Sequence, residues 1–148
     1  MKRGFTLLEL IIVIIIIGVL ATLGFTQYGR MIEKSRGAEA KVILGDIRKF
    51  AAAYVLEETI ANIGAMTAAD LNIGTGADQI PSACATSHYF SYGIPAAPAN
   101  PLVITATRCA ASGKTPDSTL LCSGAACTLT LTTNLTTGVD TWGGTGNY

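Results

Sequence analysis

The chain has 148 residues, four cysteines, one histidine and ten basic against ten acidic residues, so its formal net charge is zero. That length leaves room for one small domain beside a long helix and excludes a large multidomain enzyme. The charges are unevenly placed: from Thr26 to Phe50 bases outnumber acids, and after Phe50 six acids face only Arg108 and Lys114. A basic neck followed by an acidic head leaves that head no electrostatic footprint for nucleic acid.

The chain opens with Lys2 and Arg3, and between Phe5 and Phe25 every residue except Glu9 is apolar, small or Thr. As a helix this stretch is about 31 Å long, the thickness of a bilayer's hydrocarbon core. A helix is also the one single-segment structure that satisfies its own backbone in lipid. A secretory signal peptide would end in an A-x-A-like exit. None follows Leu20, so the apolar segment is expected to stay with the protein. Glu9 near the hydrocarbon calls for a partner or for escape to the interface.

Gly4-Phe5-Thr6-Leu7-Leu8-Glu9 behind two basic residues resembles the class III leader and N-terminus of type IV pilins and their type II secretion pseudopilin relatives. The resemblance is strong to about Leu23, weaker to Glu58 and nearly absent beyond. It implies a leader of residues 1–4 cut by a prepilin peptidase between Gly4 and Phe5, N-methylation of Phe5, and an assembly role for Glu9. It further implies a subunit that waits in the inner membrane and then polymerises with copies of itself into a surface filament, a pilus for motility, adhesion or DNA uptake. An assembly platform with an external ATPase would drive that step, and no cofactor is implied. Where many relatives carry a proline after the apolar run this chain has Thr26; Gly18, Gly24 and Gly29 offer comparable local flexibility.

Residues 26–58 contain no proline and continue the helix. Ala40, Ile43, Leu44, Ile47, Phe50, Ala51, Tyr54 and Val55 fall within an arc of about 140°, a core-facing stripe. Extended backwards, the stripe meets Glu33 and Arg36, so the head is expected to pack only from about Ala40 onward. Glu33 with Arg36, and Asp46 with Lys49, have the spacing of pairs on one helix face. The same bases could instead meet acids on neighbouring subunits.

Residues 59–148 form the head. Ile60 to Pro81 reads as loop with one helical turn, Thr67 to Leu71, in which Thr67 and Asp70 have capping spacing. Strands are predicted at His88–Tyr92, Leu102–Thr107, Thr119–Cys122 and Cys127–Thr133, the last two joined by a four-residue loop, Ser123–Ala126. The glycine-rich tail, Gly138–Tyr148, reads as a loop folded back on the sheet. Cys84, Cys109, Cys122 and Cys127 form an even set without a C-x-x-C pair, read as two disulfides with three possible connectivities. The hairpin places Cys122 opposite Cys127 and leaves Cys84 for Cys109. Simple counting of bases puts the head in the cytoplasm; the cysteines and the leader point outside, and the basic neck has another use in an assembly.

The sequence has no nucleotide, hydrolase or zinc-protease signature. His88 reads as structural, Asp117 and Asp140 as turn residues, and Asn134-Leu135-Thr136 as a sequon of little meaning in bacteria. A calcium site like that of major pseudopilins needs more clustered oxygen ligands than Asp140 supplies in the tail. Phe25, Tyr28, Phe50 and Tyr54 read as packing residues and not as an electron path. The expected fold is α+β, a long helix whose second half carries a small antiparallel sheet. The expected function is a structural pilin subunit and not an enzyme. The alternatives are a pseudopilin and, in another class, a membrane-anchored extracytoplasmic enzyme or binding domain.

Overall fold

The computed structural model describes residues 5–110, 114, 122, 127–146 and 148. Helix α1, Leu7–Glu58, runs 52 residues without a break through Gly18, Gly24 and Gly29. In its apolar half, the Thr22 and Thr26 hydroxyls donate to the carbonyls of Val19 and Leu23, which satisfies them without water. The helix stops at Thr59, whose φ of 77° is outside the helical region and whose N–H closes the last turn on the Val55 carbonyl.

The connecting segment has more structure than its loop-like composition predicts. It contains two 3₁₀ turns, Ile60–Ala65 and Ala69–Leu71, and a parallel pair of two-residue strands, β1 (Ile73–Gly74) and β2 (Ile80–Pro81). The Thr67 backbone N–H and hydroxyl both donate to Asp70 Oδ2 at 2.7 Å and fix the second turn. These hydrogen bonds hold the Asp70 carboxyl below its ordinary range.

The head is an antiparallel meander of β3 (Phe90–Gly93), β4 (Leu102–Arg108), β5 (Thr128–Thr133) and β6 (Asp140–Gly144), paired in that order. Alternation decides which side chains face the helix. Leu102, Ile104, Ala106 and Arg108 are buried along β4, and Leu129, Leu131 and Thr133 along β5. They meet Ala40, Leu44, Ile47 and Ala51 of α1, with Phe90, Tyr92, Leu71 and Ile73 closing the sides. Each fully buried large side chain is worth about 1.5–3 kcal/mol. Phe50, placed on the stripe by its spacing, is instead 41% exposed, since it lies at the stripe's edge.

The tail is a strand and not the predicted loop. Its glycines are where β5 comes closest: a Cβ on Gly144 would lie 2.2 Å from the Thr128 carbonyl oxygen, and one on Gly143 would lie 3.1 Å from the Thr130 hydroxyl. Glycine here permits close strand approach, which is the same composition that marks a loop. The predicted strand at Thr119–Cys122 lies, apart from Cys122, outside the described residues, as does the hairpin loop Ser123–Ala126.

Gly37 has a comparable role on the helix. A Cβ there would sit 2.5 Å from Cβ of Tyr148, whose ring packs edge-on against Phe90 at 5.6 Å. Lys41 Nζ donates to the Tyr148 carbonyl at 2.9 Å and holds that residue in place. Gly37→Ala gains about 1 kcal/mol of helix propensity but incurs an overpacking cost of about 1–3 kcal/mol. The expected result in detergent is a melting temperature lowered by roughly 4–8 °C per kcal/mol of net loss. An unchanged or raised value would mean that Tyr148 moves aside freely.

Candidate assembly site

Thr6 and Glu9 form a reciprocal cap at the helix start. The Thr6 backbone N–H and hydroxyl donate to Glu9 Oε2 at 2.9 and 2.8 Å, and the Glu9 N–H donates to the Thr6 hydroxyl oxygen at 3.3 Å. This is the S/T-x-x-E pattern, which satisfies two backbone donors that a helix start leaves open. The reading of Glu9 as a charge that needs a partner or escapes to the interface missed this neighbour, although T-L-L-E was legible in the sequence. The carboxylate is thus held at the helix end, where the positive pole of the helix also favours it.

Phe5 precedes this cap and is 77% exposed, while Gly4 and the rest of residues 1–4 lie outside the described residues. From Leu7 to Phe25 the helix is long and apolar enough to cross a membrane, and none of its most apolar 18-residue window is covered by the chain's own fold. Its Ile, Leu and Val side chains are exposed around the whole circumference. A helix apolar on all sides requires lipid or other helices around it.

The head grips the helix earlier than predicted, at Glu33 and Gly37 and not first at Ala40. Arg108 makes this contact. It is the fourth inward position of β4, 1% exposed, and its guanidinium forks onto Glu33 through Nε–Oε2 at 3.2 Å and Nη2–Oε1 at 3.0 Å. Its remaining amine, Nη1, donates to the Cys109 carbonyl at 2.6 Å, and Arg36 adds a second ion pair to Glu33. The Arg36 guanidinium also lies 3.9 Å from the Tyr89 ring centroid, and that of Arg108 lies 5.0 Å from it. Burial alone would raise the Glu33 carboxyl. Arg108 and then Arg36 outweigh it and hold the group below the usual carboxylate range.

Two disulfides frame this ion pair. Cys84 is joined to Cys109 and Cys122 to Cys127, with Cα atoms 5.6 Å apart in each. Cys109 follows Arg108 directly, and the Arg108 N–H donates to the Cys127 carbonyl at 2.8 Å. The end of β4 that carries the buried charge is therefore crosslinked to Cys84 through Cys109 and hydrogen-bonded to the disulfide-bonded Cys127 on its other side. Further down the helix, Arg48 donates to Asp140 at 2.8 Å and to the Thr133 hydroxyl at 3.2 Å. The hydrogen bond from Thr133, and then Arg48, lower the Asp140 carboxyl against the effect of burial. Asp140 is thus a helix-to-sheet tie. The Asn134 side chain accepts from the N–H groups of Thr136 and Thr137 at 3.0 Å and builds the turn before β6. His88 bridges the Ala83 carbonyl and the Ser87 hydroxyl. Asp117 lies outside the described residues.

Sequence reasoning missed Arg108, Glu33, Gly37 and Tyr148 as the residues that seat the head. For the first two a signal existed. Period-two alternation carried one residue past Thr107 puts Arg108 on the inner face, and the helical stripe carried back puts Glu33 on the same side. No solved structure matches the chain. Residues 1–25 match the family model of the prokaryotic N-terminal methylation motif. With its capped start and its uncovered apolar helix, the chain therefore carries the class III leader of type IV pilins at the head of a long apolar helix, and is pilin- or pseudopilin-like.

Proposed function

We propose that this chain is a major pilin, a structural subunit that polymerises through its N-terminal helix into a surface filament. The observation that carries this reading is the uncovered apolar half of α1, continuous with the half that carries a disulfide-bonded head, behind an N-terminal methylation motif. A domain that worked alone on a membrane anchor would leave the same helix uncovered; the match of residues 1–25 to the N-terminal methylation motif is what favours a subunit that polymerises. Cleavage falls between Gly4 and Phe5, Phe5 is N-methylated, and residues 5–25 anchor the subunit in the inner membrane before assembly. Leaving lipid without an equivalent environment would cost on the order of tens of kcal/mol for a segment with this many large apolar side chains. Neighbouring helices of the growing bundle supply that environment, and an external ATPase acting through a membrane platform supplies the work. The role is structural and not catalytic.

Intact-mass spectrometry of the protein sheared from cell surfaces tests this reading. The expected chain lacks Met1–Gly4 and carries one methyl group on the Phe5 amine. A chain that keeps its first four residues, or one cut near Thr22, would overturn it. A pseudopilin shares this N-terminus, and it would be found in the cell envelope and not as the main band of sheared filaments.

A further inference from the structure

The helix carries opposite charges on opposite flanks. Taking about 100° per residue, Arg30, Lys34 and Lys41 lie roughly 60–100° to one side of the buried stripe, while Glu39, Asp46 and Glu57 lie roughly 120–140° to the other. Some of these are engaged within the chain: Lys41 with the Tyr148 carbonyl and Asp46 with Lys49. Arg30, Lys34, Glu39 and Glu57 are exposed and make no ion pair among the described residues.

The acidic flank borders a recess at one of its acids. Glu39 borders a cavity of about 400 Å³ between the helix and the head, lined also by Ile43, Gln79, His88 and Tyr92. A long basic side chain could lay its stem there while its charge meets the carboxylate. A base on one flank and an acid on the opposite flank cannot meet within one copy. Nor do they favour a twofold pair, which would set like against like. They suit a head-to-tail contact, in which one copy's basic flank meets the next copy's acidic flank, and such contacts generate open helical polymers.

We propose that, in the filament, Lys34 of one copy pairs with Glu39 of the next, with Arg30 beside it, as a head-to-tail electrostatic contact at the neck. Parallel helices displaced axially by five residues, about 7.5 Å, bring the two side chains level. This proposal rests on the polymer reading above.

The test is charge reversal with rescue, scored as filament yield after shearing, with membrane fractionation to confirm that each subunit accumulates. Lys34→Glu and Glu39→Lys, each alone, set like charges together, and each is expected to lower filament yield about tenfold or more. The two combined in one chain restore opposite charges and are expected to recover most of that yield. Normal yield from either single variant, or no recovery in the combined one, overturns the pairing. Wild-type filaments that lack this chain altogether overturn the polymer reading, and the pairing with it.

Discussion

Glu9→Leu subunits are expected to reach the membrane at least as well as wild type and yet to be missing from filaments. The substitution makes the span more apolar, so insertion is favoured. What is lost is a carboxylate that, we propose, meets the α-amine of Phe5, on its own or a neighbouring chain, in a nearly dry bundle. Removing one partner of such a pair costs about 3–5 kcal/mol, because the other charge is left uncompensated. The substitution also removes the cap on Thr6, typically worth about 1 kcal/mol, so a defect in Glu9→Leu alone has two explanations. Glu9→Gln separates them. Glutamine serves at this position of a capping box, so the helix start survives while the charge does not. Both variants are expected to accumulate in membranes and to give few filaments unless mixed with wild-type subunits. If Glu9→Gln polymerises at normal yield, Glu9 acts as a helix cap and the charge mechanism is wrong.

Glu33→Ala should loosen the whole head. Arg108 would remain buried at the end of β4 with its ion-pair partner gone, and the nearby Arg36 guanidinium would add like-charge repulsion. Breaking a buried pair in this way costs about 3–5 kcal/mol. For a head of this size that is a fall in melting temperature on the order of 20 °C. Replacing both partners by apolar residues of similar length, Glu33→Leu with Arg108→Met, should recover much of the loss, since no buried charge is then left alone. Unfolding of the detergent-solubilised chain, followed by near-ultraviolet circular dichroism, measures both. A loss under about 1 kcal/mol for Glu33→Ala would show that Arg108 finds another partner or water.

The same pair sets an acid limit. The folded-state pKa of Glu33 is lowered, so its contribution to stability is complete above the unfolded value of about 4.3 and is lost as pH falls through the lower folded value. Asp140 and Asp70 shift in the same direction and contribute to the same loss. The head is therefore expected to resist mild acid and to weaken only below the ordinary carboxylate range.

The sequence by itself determined the local and one-dimensional features. The apolar run, its length and its single acid gave the helix and its need for lipid or other helices, because hydropathy and helical rise act residue by residue. Alternation in Leu102–Thr107 and Cys127–Thr133 gave two central strands, and the spacing of Thr67 and Asp70 gave a turn. The tertiary structure alone decided how the head sits on the helix. Glu33 looked like a limit to packing because a charge on a buried stripe is unfavourable in isolation. It becomes a contact once β4 delivers Arg108 to the same place from 75 residues away. The tail looked like a loop because glycine is permissive everywhere, and only β5 lying close beside it requires glycine in a strand. Gly37 and Tyr148 could not be linked in advance, since neither has a pattern of its own and their fit depends on where the folded sheet returns the chain. Pairwise burial between distant segments has no local period, so it becomes visible only when both partners are placed.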